Sequence, residues 1–369
     1  MESKLNFDFS TMQTVIQKIG RTDGFKSRWE ALMQRENVYI RELRQGALTE
    51  NMRAAVEITG GEMAYSEAEW IMRILQKNDK KTQKPNGESA GFSLRLETPE
   101  EHIAAGWHEA EEMVIGQYKS LKINVGTIRM LHDHLLQFQQ MHPKNNSIFR
   151  TKLLPASGRY ADGTEKLLFD TTPPSRIEKE FHALLQWTEQ ALNQKTIHPL
   201  LVIGLFHHAW LCLYPFQTGN FRTGFLLTQL LLLQNGYSGT ACAPWFKHIT
   251  HDRVGYFKAL RNSHTAASDK EPRHLGPWII YFLETLENAM QQVEDQYKKW
   301  KSPGIYLSDR QKKVREYIGK HQPVKAGDLQ KALPDILVSN LRKDLQYLVS
   351  IRQIEKIGHL KSTIYIAPS

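Results

Sequence analysis

Leu213-Tyr214-Pro215-Phe216-Gln217-Thr218-Gly219-Asn220-Phe221-Arg222-Thr223-Gly224-Phe225 leads directly into an apolar run from Leu226 to Leu233. A Pro-Phe turn followed by Gly219-Asn220 reads as a loop that opens a helix. Glycine permits backbone angles closed to other residues, and the first amides of the helix have no internal partners. Such a helix start attracts anions, and Arg222 in the first turn has a guanidinium able to fork two phosphate oxygens. The same pattern also fits an ordinary loop ahead of a core helix. The leucines after it are apolar nearly all round, so the helix is expected to be central and to close at Asn235-Gly236.

Around this loop the chain reads as helical. Trp29, Leu32 and Met33, then Val38, Ile40 and Leu43, recur at helical spacing within residues 1–75. The polar stretch 76–90, with Pro-Asn-Gly inside it, is expected to be an exposed linker. Thr98-Pro99-Glu100-Glu101 is a helix start, opening two helices over 98–141. Thr151–Pro155, a turn at Gly158, Asp162-Gly163 and Lys166–Phe169 predict a hairpin. Helices return over 175–236 and continue to Trp300. Lys301-Ser302-Pro303-Gly304 marks a boundary. Beyond it, a helix capped by Ser308, a short helix after Val324, a helix capped by Ser339 and two strands about Gly358 are expected.

Composition bounds the classes. The 369 residues are 41% hydrophobic and 24% charged, enough for a large core and two or three domains. No apolar run approaches the roughly 20 residues of a membrane span, and the N-terminal stretch is polar, so no membrane association is expected. The two cysteines, Cys212 and Cys242, point to a reducing cytoplasm and are expected to be buried small hydrophobes. Net charge is +9. From Ser302 onward 12 Lys plus Arg oppose 6 Asp plus Glu, so a polyanion is the expected partner of this tail. His132-Asp133-His134 is expected to be structural rather than metal-binding, because neighbouring helix positions point to different sides.

The loop resembles the Fic motif His-Pro-Phe-x-Asp/Glu-Gly-Asn-Gly-Arg-x-x-Arg. Pro215, Phe216, Gly219, Asn220 and Arg222 match it. Tyr214 stands at the motif His, Thr218 at the acidic position, Phe221 at the second Gly and Phe225 at the second Arg. Leu131-His132, Phe149-Arg150-Thr151, Pro173-Pro174, His198-Pro199 and His207-His208 follow the family's order, so the resemblance covers about residues 40–300.

That resemblance implies a mostly α fold: a Fic-type helical core with a β-hairpin flap, plus a C-terminal winged-helix domain. The parts are 1–95, an N-terminal helical region with an inhibitory-type position; 96–300, the Fic core; and 305–369, a winged helix-turn-helix. In the family the motif His takes a proton from a target hydroxyl, which attacks the α-phosphate of ATP. Tyr214 is the catalytic candidate at that position. Its ordinary pKa of about 10 leaves roughly a thousandth as phenolate at pH 7, a deficit of about 4 kcal/mol. Cations such as Arg222 are candidates to lower that pKa, and His208 is a backup base.

Gly219, Asn220 and Arg222 are the nucleotide- or phosphate-binding candidates, and Thr218 is a weak metal ligand. ATP and Mg are the implied cofactors, weakly held. Glu57 matches the inhibitory Glu, but its usual partner is Phe225, so the lock is lost unless Glu57 pairs with Arg222. The flap hairpin 150–172 is the implied docking edge for a target protein. Asn340, Arg342, Lys343 and Gln346 are the DNA-binding candidates of the tail, with duplex DNA as its partner. The expected function is a degenerate Fic protein with weak or no AMP-transferase activity, acting as a regulatory, DNA- or partner-binding protein, with Phe221 or Phe225 filling the nucleotide pocket. The alternative is an active protein adenylyltransferase, or a related nucleotidyl or phosphoryl transferase, moving AMP from ATP to a protein hydroxyl.

Overall fold

The computed structural model describes residues 7–33, 37–82, 96–139, 149–159, 164–265, 275–301, 307–358 and 363–367. It divides into two compact units, Met1–Glu294 and Asp295–Ser369, each with its own core.

The larger unit is mostly α. In chain order it holds α1 (Phe9–Met33), α2 (Asn37–Glu57), α3 (Tyr65–Thr82), α4 (Pro99–Gln117) and α5 (Val125–Leu136). A hairpin of β1 (Ala156–Arg159) and β2 (Glu165–Phe169) follows. Next come α6 (Pro174–Gln194), α7 (Pro199–Leu213), α8 (Asn220–Gln234), a 3-10 turn (Ser238–Ala241), α9 (Trp245–His251), α10 (Arg253–Thr265) and α11 (Gly276–Lys301), whose residues after Glu294 count with the smaller unit. Helix α8 runs through the centre. Leu226, Leu227, Leu230 and Leu232 are fully buried, each contributing about 1.5–3 kcal/mol by leaving water. Gly236, at φ 85, ends it. Helix α4 starts as its sequence requires: Thr98 accepts from Glu101 N, and Glu101 closes the capping box. Among the described residues no helix is long and apolar enough to cross a membrane.

Three expectations need correction here. Helix α3 runs on to Thr82, into the stretch expected as linker, because Gln76 to Thr82 holds neither Gly nor Pro to stop it. The rest of that stretch, 83–90, lies outside the described residues, as do Asp162-Gly163 and Ser302-Pro303-Gly304. The first hairpin strand is Ala156–Arg159, not Thr151–Pro155, and Gly158 lies within it rather than at a turn. A Cβ on Gly158 would meet the Phe257 ring at 2.6 Å, so this glycine admits a close approach. The strand starts late because Arg150 holds the preceding segment through the Lys152 carbonyl.

The smaller unit contains α12 (Asp309–His321), α13 (Ala326–Ala332), α14 (Val338–Ser350), β3 (Glu355–Ile357) and β4 (Ile364–Ile366). Ser308 caps α12 in a capping box with Gln311. Ser339 does not cap α14: the helix starts at Val338, with Leu337 as N-cap and no side-chain capping bond. Leu341, Leu345 and Leu348 face the core. Buried Asp344 receives Arg310 (Nε to Oδ2 2.5 Å, Nη2 to Oδ1 3.0 Å) and so fixes α14 against α12. Arg342, Lys343 and Gln346 are exposed on the outer side, and Asn340 is half-buried.

Candidate functional site

The loop is closed by its own residues. Asn220 accepts from Phe216 N at 2.9 Å and donates to Phe216 O at 2.7 Å. Its side chain therefore braces the loop, with its oxygen and one amide hydrogen committed to the Phe216 backbone. Phe216 is fully buried and stacks on His132, ring centroids 4.0 Å apart. His132 Nε2 donates to Thr218 O at 3.0 Å. A Cβ on Gly219, at φ 76, would stand 3.3 Å from that same nitrogen. Trp210 Nε1 donates to Asn220 O from beneath.

The entry to the loop is pinned by Arg150. Its Nε donates to Tyr214 O at 2.7 Å, its Nη2 to Thr171 Oγ1 and Thr172 O, and its main-chain N to Pro215 O. Tyr214 sits in the left-handed region at φ 48 as the C-cap of α7, a conformation that costs a non-glycine residue about 1 kcal/mol or more. Sequence reasoning placed Arg150 and His132 in order along the chain without assigning them these roles. Their partners are carbonyls of a distant loop, for which no local signal exists.

Tyr214, Thr218, Gly219, Asn220, Phe221 and Arg222 line one cavity of about 220 Å³, with Ile58 and Thr59 after α2 and Ser157 and Glu165 from the hairpin. Burial pushes the Tyr214 phenol up from its ordinary pKa, against the Asn220 hydrogen bond and the Arg150 charge. The cation that lowers it is Arg150 rather than Arg222, and desolvation outweighs that charge. Glu165, whose charge also raises that pKa, is a carboxylate the sequence reading missed. It reaches the cavity only through the hairpin register, and it accepts from Ser157 Oγ.

Arg222 is 3% exposed, and its Nε and Nη1 have no hydrogen-bond partner among the described residues. Burial lowers its pKa to about 10. Glycine at the N-cap leaves α8 without a side-chain cap, so its first-turn amides lack partners from that source.

The remaining motif positions point elsewhere. Phe225 does not enter the cavity. It is fully buried and stacks on Phe246 at 3.8 Å and near Trp245 at 5.3 Å, in an aromatic core below the loop. Phe221 lines the cavity, edge-on to Tyr214 at 6.0 Å. Glu57 does not pair with Arg222: Lys247 Nζ takes Oε1 at 2.5 Å and Thr250 Oγ1 takes Oε2 at 2.9 Å. Helix α9 thus captures Glu57 before it can reach the loop. His208 is not beside the loop cavity either, and lines a separate one with Cys212.

Residues 122–232 match the model of the Fic/DOC family. Over those residues the chain is similar to the Fic/DOC family. Its fold is similar to that of a Fic family protein from Desulfovibrio desulfuricans, with TM-score 0.58 and 17% identity over 96% of each chain. It is also similar to a Fic domain containing signaling protein from Bacteroides thetaiotaomicron, with TM-score 0.53 and 14% identity over 73% of this chain and 94% of that one. Fic-1 from C. elegans gives TM-score 0.50 and 16% identity over 78% of this chain and 73% of that one. At these identities the likeness concerns the fold. Within the Fic loop of this chain, Thr218 offers a hydroxyl where a carboxylate would hold a metal-bound triphosphate. The cavity is smaller than the roughly 300–1,000 Å³ of most ligand pockets. The oxygen donors that line it include Thr218 and one carboxylate, Glu165, from the hairpin.

Proposed function

We propose that this chain is a Fic-fold protein that has lost AMP transfer and serves as a binding or regulatory protein, its loop acting as a small anion pocket. The observation that carries this reading is Tyr214 at the base position, its phenol pushed further from ionisation by burial. A general base works best with a pKa near the working pH, and this group has moved the other way. The anion pocket rests on Arg222: a buried guanidinium whose Nε and Nη1 find no partner among the described residues, beside a helix start, is a costly arrangement that an anion relieves. Calorimetric titration is expected to give weak or no uptake of ATP with Mg²⁺, while inorganic phosphate or pyrophosphate binds. Labelled ATP is expected to leave cellular protein unmarked. Robust labelling that disappears in Tyr214→Phe rejects the reading.

One observation favours the transferase alternative. Glu165 brings a carboxylate into the same cavity as Tyr214, where it is a candidate proton acceptor. Labelling by wild type and its loss in Glu165→Gln, with Tyr214→Phe still active, would establish that route.

For the tail we propose a winged-helix arrangement in which α14 enters the major groove of duplex DNA. Exposed Arg342, Lys343 and Gln346 support it. Arg342→Ala and Lys343→Ala together are expected to weaken duplex binding and reduce its salt slope by about 2. Binding that is unchanged points to a protein partner instead.

A further inference from the structure

A second cavity, about 680 Å³, is walled by α6, α7, the end of α10 and the segment after β2, and none of the residues Tyr214 to Phe225 lines it. Cys212, His208, His264, Arg176, Glu180 and Trp187 border it. His208 and Cys212 stand four residues apart on α7, so they share a face. His264 comes from α10. Cys212 Sγ lies 3.6 Å from His208 Nδ1 and 3.6 Å from His264 Nδ1. Both rings are held in place: His264 stacks on Phe169 at 4.6 Å and His208 leans on Trp278 at 5.7 Å. A nucleophile within reach of a base, with the base oriented by a third group, is the arrangement that activates thiols. Here two imidazoles share one sulfur.

The other cysteine is the internal contrast. Cys242 is 3% exposed, its thiol is pushed up to about 12 by burial, and its neighbour is a carbonyl, Ile40 O at 3.7 Å. The sequence reading of two inert thiols thus fits Cys242, whereas Cys212 is half-buried at the wall of a cavity.

We propose that Cys212 is a reactive thiol, served by His208 and His264 as proton acceptors, which exchanges with small-molecule disulfides entering this cavity. One imidazole takes the Sγ proton. The thiolate attacks one sulfur of the disulfide, the new S–S bond forms and the old one breaks. The departing thiolate takes the proton back from the imidazolium and leaves as a thiol. Atoms and electrons balance with the disulfide as the sole co-reactant. Arg176 and Glu180, paired at 2.9 Å, give the wall both signs of charge, which suits a zwitterionic substituent on the disulfide.

The test uses the full chain in a Cys242→Ser background, with oxidised glutathione followed by intact mass and dithiobis-nitrobenzoate followed by absorbance. At pH 7 Cys212 is expected to react about tenfold faster than free cysteine, whose thiolate is only a few per cent of the total. His264→Gln is expected to remove most of that advantage and to move the rate–pH profile upward, and His208→Gln to do the same. Circular dichroism checks that each variant is folded, and half-buried His264 carries the test if His208→Gln is not. A rate at or below that of free cysteine overturns the proposal. So does a rate indifferent to either histidine, or an adduct on Cys242 in the unsubstituted protein.

Discussion

Arg222→Met tests the loop reading through stability. The guanidinium is 3% exposed, and burial has brought its pKa to about 10 from an ordinary value of about 12.5. That difference corresponds to about 3 kcal/mol against the charged form in the fold. A base whose folded pKa is lowered carries this penalty in full at neutral pH, and loses it only as pH rises through about 10. Methionine keeps most of the volume and removes the charge. The anion-free variant is therefore expected to be more stable by about 1–3 kcal/mol, which raises Tm by about 2–6 °C. Inorganic phosphate or pyrophosphate at about a hundred times its Kd is expected to stabilise wild type by about 2.7 kcal/mol and leave Arg222→Met unmoved. Differential scanning calorimetry with and without the anion measures both effects. A variant that melts below wild type without anion, yet is protected equally by it, would refute the argument that this guanidinium is the unpaired half of an anion site.

The remaining predictions follow from single contacts. Asn220→Ala removes two bonds to Phe216 and is expected to cost about 1–3 kcal/mol and to abolish anion protection, read by urea unfolding with and without phosphate. Gly219→Ala places a Cβ 3.3 Å from His132 Nε2 at a φ of 76, and a loss of at least about 1 kcal/mol is expected in the same assay. Phe225→Arg, which restores the motif residue, puts a cation where Phe225 stacks on Phe246; it is expected to cost more than about 4 kcal/mol and yield insoluble protein rather than an enzyme. Glu111, buried between Asn51 and Trp107, is pushed up to about 8 by desolvation. With its folded pKa above its ordinary carboxylate value, wild type is expected to lose stability as pH rises from about 5 towards 8. Glu111→Gln is expected to flatten that slope in thermal melts across the range.

The helices were legible wherever their residues settle a local choice. Thr98 to Glu101 and Ser308 to Gln311 cap because each pair lies within one turn of itself. The leucines of α8 announce a central helix by having no polar face. The first hairpin strand was misplaced because its limit is set by Arg150 and Phe257, one before the strand and one far along the chain. At the site, the departures at Tyr214, Thr218, Phe221 and Phe225 were all readable, but the direction each side chain takes was not. Phe221 and Phe225 are one helical turn apart and are equally apolar; contacts with Phe246 and Trp245 draw one of them into the core.

By itself, then, the sequence determined a mostly helical chain, a loop with a left-handed glycine opening a buried helix, and the absence of the usual base and acidic ligand. Those depend on backbone preference and side-chain identity, which act over a few residues. Tertiary structure alone decided that Asn220 braces its own loop, that Glu57 belongs to Lys247 and Thr250, and that Arg222 is buried with its Nε and Nη1 unpartnered among the described residues. It also brought Cys212 against His264 from across the fold. Hydrogen bonds and desolvation act over a few ångströms of space, and which groups come within that range is settled by packing between segments far apart in the chain.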